Sequence, residues 1–291
     1  MKYATASAFR VALEERLRHE HIVTGTALVR LRKMVAFDRF LARLSAVGED
    51  RWALKGGFAL QLMLPELART TKDIDLHLEE SADQAISLLI EASSLDLEDC
   101  FSFLVSSPTP AKKASVRVNV ECRVDGRVFE RFHVDLGAEE PRTGNRVYRT
   151  ITPLLAFAGI PSVAFPCYPP TQHLAEKVHA LTRPRGTRGS SRSKDLVDIV
   201  ILAENNVIDG GELRAAFEAT FAWCATHPLP VRLPPAPRSW EPEYRRAAEQ
   251  LELRAGTLAE GQHLAAALVD PVLEGRVSGR WDPAEIGWKD R

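Results

Sequence analysis

The stretch KGGFALQLMLPELARTTKDID, residues 55–75, decides how the chain is read. Gly56 and Gly57 follow a short apolar segment, Trp52 to Leu54. Residues 58–64, FALQLML, are expected as a helix stopped at Pro65. Residues 73–78, DIDLHL, alternate, with Ile74, Leu76 and Leu78 on one face of a strand and Asp73, Asp75 and His77 on the other. Glycines without β-carbons let backbone approach a phosphate closely, and the helix after them offers unpaired N–H groups and the positive end of its dipole. Asp73 and Asp75, two apart on a strand, point to the same side. Two close carboxylates repel each other unless a cation lies between them. Mg²⁺ is held in that way, by a few carboxylates together with substrate phosphates. Two such ions about 3.5–4 Å apart activate an attacking hydroxyl and steady a leaving pyrophosphate.

Working outward, the first 47 residues read as helical, with Leu28, Leu31, Val35, Phe37, Phe40, Leu41 and Leu44 at helical steps and an end near Gly48. Residues 82–94 read as a helix. VRVNVECRV, residues 116–124, alternates strictly, and Asp125-Gly126 is a two-residue hairpin signal before the return strand, residues 128–137. Helices and strands mixed in this order predict an α/β or α+β core around a mixed sheet. Near residues 150–170 the character changes, giving an expected catalytic domain over 1–160 and a mainly helical C-terminal domain over 161–291. There, 171–181, 194–206 and 210–226 read as helices, the first capped by Thr171. Pro228, Pro230, Pro234, Pro235, Pro237 and Pro242 make 227–242 an extended connector, and helices resume to about residue 270.

The 291 residues suffice for one large or two ordinary domains, and 45% apolar with 26% charged residues is a globular balance. A net charge of −1 means that any nucleic-acid-binding surface must come from local clustering. Cys100, Cys122, Cys167 and Cys224 have no metal-ligand spacing and read as thiols of a reducing cytoplasm. No apolar run approaches the roughly 20 residues that span a bilayer, so a cytoplasmic protein with no membrane partner is expected.

Asp135, in FHVDLG at the end of the return strand, is a candidate third metal ligand or a strand-end residue capping a turn. From Lys177 to Lys194 the chain carries Lys177, Arg183, Arg185, Arg188, Arg192 and Lys194 with no acidic residue, a segment that repels itself unless it faces an anion such as a triphosphate or an RNA backbone. Asp195 and Asp198, three apart, share a helix face. His77 and His179 read mainly as structural, and Trp223, Trp240 and Trp281 as packing residues.

Together, KGG…RTTKDID, EKVHAL (176–181) and SRSKDLVD (191–198) resemble, in order, the motifs of the AbiEii-type toxin nucleotidyltransferases within the polymerase-β-type superfamily. The resemblance implies a nucleotidyltransferase-like mixed sheet with flanking helices. It implies Mg²⁺ or Mn²⁺ on Asp73 and Asp75 (with Asp135), and an NTP held by Gly56, Gly57, Thr71, Lys177 and Arg192. Asp73, Asp75, Lys177 and Asp198 are then the catalytic set, an RNA, the 3′ end of tRNA, is the acceptor, and a cognate antitoxin is a partner. Two positions depart from the family: Gly57 stands where many members have Ser, and Phe58 where close relatives often have Thr, so a triphosphate-binding hydroxyl is missing. A protein acceptor, or a nucleotide-binding regulator without catalysis, remain the alternatives.

The basic segment yields a first prediction. Replacing Arg183, Arg185 and Arg188 together by Ala weakens RNA binding and flattens its log–log salt dependence by about 0.7–0.9 for each phosphate that the protein no longer neutralises, while NTP affinity stays. RNA affinity measured at several salt concentrations checks this; an unchanged slope makes the segment a solvated connector.

Overall fold

A computed structural model describes residues 2–49, 51–64, 71, 73–110, 115–138, 144–184, 192–277 and 279–290. The chain forms two compact units. The first comprises Met1–Met63, Thr70–Glu140 and Arg146–Cys167, and the main segment of the second is Tyr168–Arg291.

The first unit opens with α1, Ala6–Thr24, whose first turn is capped by the Thr5 side chain accepting from Ala8 N–H and whose end turns at Gly25 in the left-handed region. α2, Leu28–Gly48, buries the apolar stripe named above from Leu31 onward, and its Phe37 and Phe40 meet Phe132 with ring centroids 5.0 and 5.6 Å apart. Next come β1, Trp52–Lys55; α3, Gly56–Met63; β2, Asp73–Leu78; and α4, Ala82–Ser94, closed at its start by a Ser81/Gln84 capping box. The glycine pair is thus the first turn of α3 itself, not a loop before it. β3, Phe101–Val105; β4, Thr109–Pro110; β5, Ser115–Val124; β6, Arg127–Ala138; β7, Val147–Thr150; and β8, Ala164–Cys167 complete the unit. The sheet is mixed, in the order β3-β5-β6-β2-β1-β8-β7, with β4 on β5. Of these strands, β3, β4, β7 and β8 are short, at two to five residues each, and were not expected from the sequence.

β2 lies between β1, antiparallel to it, and β6, parallel to it. Its Ile74, Leu76 and Leu78 join the core beside Val118, Val120, Phe132, Val134 and Leu136, so Asp73 and Asp75 stand on the opposite face. The β5–β6 hairpin turns at Asp125 and Gly126, both with positive φ (55° and 67°), the conformation that favours Asp-Gly there. One residue of β6, Phe129, has no partner in the ladder: Arg123 pairs with Val128 and Cys122 with Glu130. That bulge exchanges the faces of everything beyond it.

Arg43 of α2 is fully buried and holds Asp99 through both carboxylate oxygens, at 2.9 and 2.6 Å, while donating to the carbonyls of Leu95 and Phe101. It ties the segment between α4 and β3 to α2.

The second unit contains α5, Pro170–Thr182; α6, Ser193–Asn205; β9, Ile208–Asp209; α7, Gly210–Cys224; α8, Glu241–Gln250; α9, Leu258–Leu273; β10, Arg280–Asp282; and β11, Gly287–Lys289. Thr171 is buried inside α5 and does not cap it; Pro169 holds that position, with Pro170 in the first turn, where its missing N–H has no intrahelical acceptor to lose. The proline-rich connector is strapped to α9 by Leu233 N–H on Asp270 and Ala236 N–H on Gln262. The small β9-β10-β11 sheet was unforeseen; Trp281 of β10 is buried and donates to the Ala203 carbonyl at 2.7 Å. Trp223, expected to pack, is instead exposed. No disulfide forms among the described residues: Cys122 and Cys167 are buried, Cys100 and Cys224 half-buried. Burial pushes the Cys122 thiol up, and that of Cys167 up to about 12.

Removing one partner of a buried ion pair leaves an uncompensated charge, so Arg43→Ala lowers unfolding stability by about 3–5 kcal/mol. Arg245→Ala, which breaks an exposed pair with Glu241, costs no more than about 0.5 kcal/mol. Urea unfolding of both variants checks the contrast.

Candidate active site

In the first unit the site is set by contact between a turn and a strand. Gly56 has φ +67°, and a β-carbon placed on it would lie 2.0 Å from Asp75 Oδ2. Both the backbone conformation and the space therefore demand glycine. The β1–β2 register, which sets Lys55 opposite Asp75, brings the carboxylate under the start of α3. Gly57 is met by the Thr71 hydroxyl, 3.3 Å from where its β-carbon would sit. Thr71 donates to the Asp73 carbonyl at 3.1 Å, so its proton is engaged in bracing the entry to β2.

β2 and β6 run in parallel with Asp73 opposite His133 and Asp75 opposite Asp135. The three aspartates share the sheet face away from the core. Asp135 is taken by a residue that no motif in the sequence singles out. Arg117 of β5, its register partner, donates from Nε and Nη2 to the two carboxylate oxygens at 2.7 and 2.6 Å. The Arg117 guanidinium is held above its ordinary pKa, first by the hydrogen bonds to Asp135, then by the charge of Asp135, and further by Asp73 and Asp75. Among the described residues, no three His, Cys, Asp or Glu side chains gather as a metal cluster. Asp73 and Asp75 nonetheless fit a divalent cation: two oxygen donors on one face, with Gly56 leaving open the space that one of them occupies. A cavity of about 730 Å³ opens beside Asp73, lined by Lys33, Asn119, Glu121, Arg123, Arg131 and His133. Glu121 accepts from Arg123 and Arg131 and is held below the usual carboxylate range by those hydrogen bonds. His77, on the same strand, is fully buried.

In the second unit, α5 and α6 bring the later motifs together. Lys177 Nζ lies 2.7 Å from Asp198 Oδ2 and 3.5 Å from Asp195 Oδ1, and Arg192 reaches the other Asp195 oxygen at 3.0 Å. Asp198 is buried, as an aspartate can be only when paired, and Asp195 in the first turn of α6 also suits the helix dipole. His179, two residues from Lys177 on α5, belongs elsewhere: it shares Thr226 with His227, and both rings meet Phe221. His227 is lowered from the usual histidine value by burial and then by the charge of Arg183. Arg185 and Arg188 lie outside the described residues.

Residues 39–268 match the model of the nucleotidyl transferase AbiEii toxins of type IV toxin–antitoxin systems. The chain belongs to the AbiEii nucleotidyltransferase toxin family. Among solved structures, this AbiEii-family chain is similar to MenT4, a nucleotidyltransferase toxin of Mycobacterium tuberculosis, at TM-score 0.57 and 18% identity over 94% of this chain and 99% of that one. At that identity the likeness shows the fold, a mixed α/β nucleotidyltransferase-toxin fold. JHP933 from Helicobacter pylori matches at TM-score 0.43 and 14% identity over 84% of this chain and 92% of that one. No curated protein matches the chain in sequence. Among the described residues no helix is long and apolar enough to cross a membrane.

The contact at Gly56 is testable. Gly56→Ala adds a methyl group where the Asp75 carboxylate lies, and a shift of about 1 Å at a reacting centre costs about 100-fold in rate. Nucleotidyl transfer by this variant is expected to fall by at least that factor, while circular dichroism shows a folded chain.

Proposed function

We propose that the chain transfers a nucleoside monophosphate from an NTP to an acceptor hydroxyl, the 3′ end of tRNA, and that this slows growth as the toxin of a toxin–antitoxin pair. The observation that carries the reading is the seating of Asp75 against the glycine turn with Asp73 beside it on the same strand face. Asp73 and Asp75 hold Mg²⁺ or Mn²⁺, which supplies charge neutralisation to the triphosphate. The α3 N-terminus, opened by Gly56 and Gly57, offers backbone N–H groups to phosphate oxygens, a role the missing hydroxyl at position 57 leaves to the backbone. Thr71 holds the strand entry in place. Lys177 and Arg192 neutralise phosphate charge as it develops, and Asp198, buried against Lys177, orients it. The acceptor oxygen attacks the α-phosphorus, the bond to the bridging oxygen breaks, pyrophosphate leaves, and the hydroxyl proton is released. The cavity beside Asp73 gives a substrate room. Family membership supports a cognate antitoxin as partner, and an acceptor tRNA would place the reaction in the cytoplasm.

Purified protein incubated with α-labelled NTP and total RNA tests this. Label is expected in RNA, with loss of about 1,000-fold or more in Asp73→Ala and Asp75→Ala, and with chelator abolishing and added Mn²⁺ restoring transfer. Label on protein would move the acceptor to a side chain, and no label in either would favour a nucleotide-binding regulator. In cells, wild-type expression is expected to slow growth and Asp73→Ala to relieve it.

A further inference from the structure

A site using two divalent ions needs a carboxylate beyond the Asp73–Asp75 pair, and the neighbouring strand places Asp135 beside Asp75 on the same face. Both oxygens of that carboxylate already accept a hydrogen bond from Arg117. We infer that Arg117 is a built-in counter-cation that reserves Asp135, so that the site takes a single divalent ion, on Asp73 and Asp75. This rests on the metal site proposed above.

Three points converge. Asp75, Asp135 and Arg117 lie side by side across β2, β6 and β5 by register, so the pairing is built into the sheet rather than into a loose surface side chain. The contact is bidentate at 2.7 and 2.6 Å, the fork geometry that guanidinium and carboxylate share. Arginine does not give up its proton at any ordinary pH, so the positive charge is permanent. A second divalent ion at Asp135 would have to share both carboxylate oxygens with the guanidinium and remain close to a fixed positive charge. Arg117 thus does for the third carboxylate what a cation would do, neutralising and holding it. It acts on the reaction as a positioning residue. The Arg117 side chain is 44% exposed and that of Asp135 25%, and neither belongs to the hydrophobic core, so Arg117→Ala is expected to fold.

The test is Mn²⁺ binding to the full chain, read from the loss of the free-ion paramagnetic resonance signal, with thermal unfolding of each variant as the fold control. Wild type is expected to bind one Mn²⁺, lost in Asp75→Asn and kept in Asp135→Asn. Arg117→Ala is expected to bind two, falling back to one in the Arg117→Ala/Asp135→Asn double variant. Two ions on wild type with one lost in Asp135→Asn, or a single ion on Arg117→Ala, overturns the inference and leaves the Asp73–Asp75 site standing. Wild type that binds no Mn²⁺, or binds it equally well in Asp75→Asn, overturns the metal site beneath it.

Discussion

Gly56 and Asp75 compete for one small volume, and the sequence settles the competition by giving Gly56 no side chain. The carboxylate oxygen lies where a β-carbon would be, 2.0 Å from it, so any other residue at 56 must push Asp75 away. That contact fixes where α3 begins relative to β2. β2 is then gripped from both sides, by β1 antiparallel and by β6 parallel, which leaves its two aspartates little freedom to drift. The same ladders carry the position outward, from Asp75 to Asp135 and from Asp135 to Arg117. Placement of the acidic face is therefore a property of backbone pairing, with side-chain packing on the other face holding the sheet against α2.

The second unit solves a different electrostatic problem. Lys177 is a long side chain with many rotamers, and orienting it costs conformational entropy. Asp198 at 2.7 Å and Asp195 at 3.5 Å bear that cost during folding, and Arg192 balances the second carboxylate. The cluster holds two positive and two negative groups, so burying Asp198 leaves no lone charge. Its positive members are pre-arranged without being concentrated into a patch that would repel itself. Of the six cations from Lys177 to Lys194, Lys177 and Arg192 find their partners in Asp195 and Asp198, just beyond the run.

What could be read in the sequence was what depends on local pattern. α4, the β5–β6 hairpin, the strand carrying Asp73 and Asp75, and the helices bearing Lys177 and Asp198 all follow from periodicity and turn residues, and the AbiEii resemblance rested on motifs that the family match spans. What escaped depends on pairing between distant segments. β3, β7 and β8 are too short, at four or five residues each, for their own pattern to mark them, and their neighbours in the sheet make them strands. Arg117 escaped for a sharper reason. A plain two-residue turn at Asp125-Gly126 pairs Asp135 with Val116, an apolar residue of the opposite face; only the bulge at Phe129 brings Arg117 opposite Asp135. The signal was present in parity. Val124, Cys122 and Val120 point inward with even numbers, as do Phe132, Val134 and Leu136, yet a bulge-free turn pairs even positions with odd ones.

The four thiols fall into two chemical classes that no sequence count would separate. Cys122 and Cys167 are buried and hold their protons, and so are inert to alkylating reagents. Cys100, in the first unit, and Cys224, in the second, are partly open to solvent, with the Cys100 thiol also pushed up by burial and then by the charge of Asp99. The unmodified chain therefore comes with one addressable thiol on each half. A donor and an acceptor dye attached there would report the separation of the halves in solution, with and without nucleotide, and no cysteine would have to be introduced or removed.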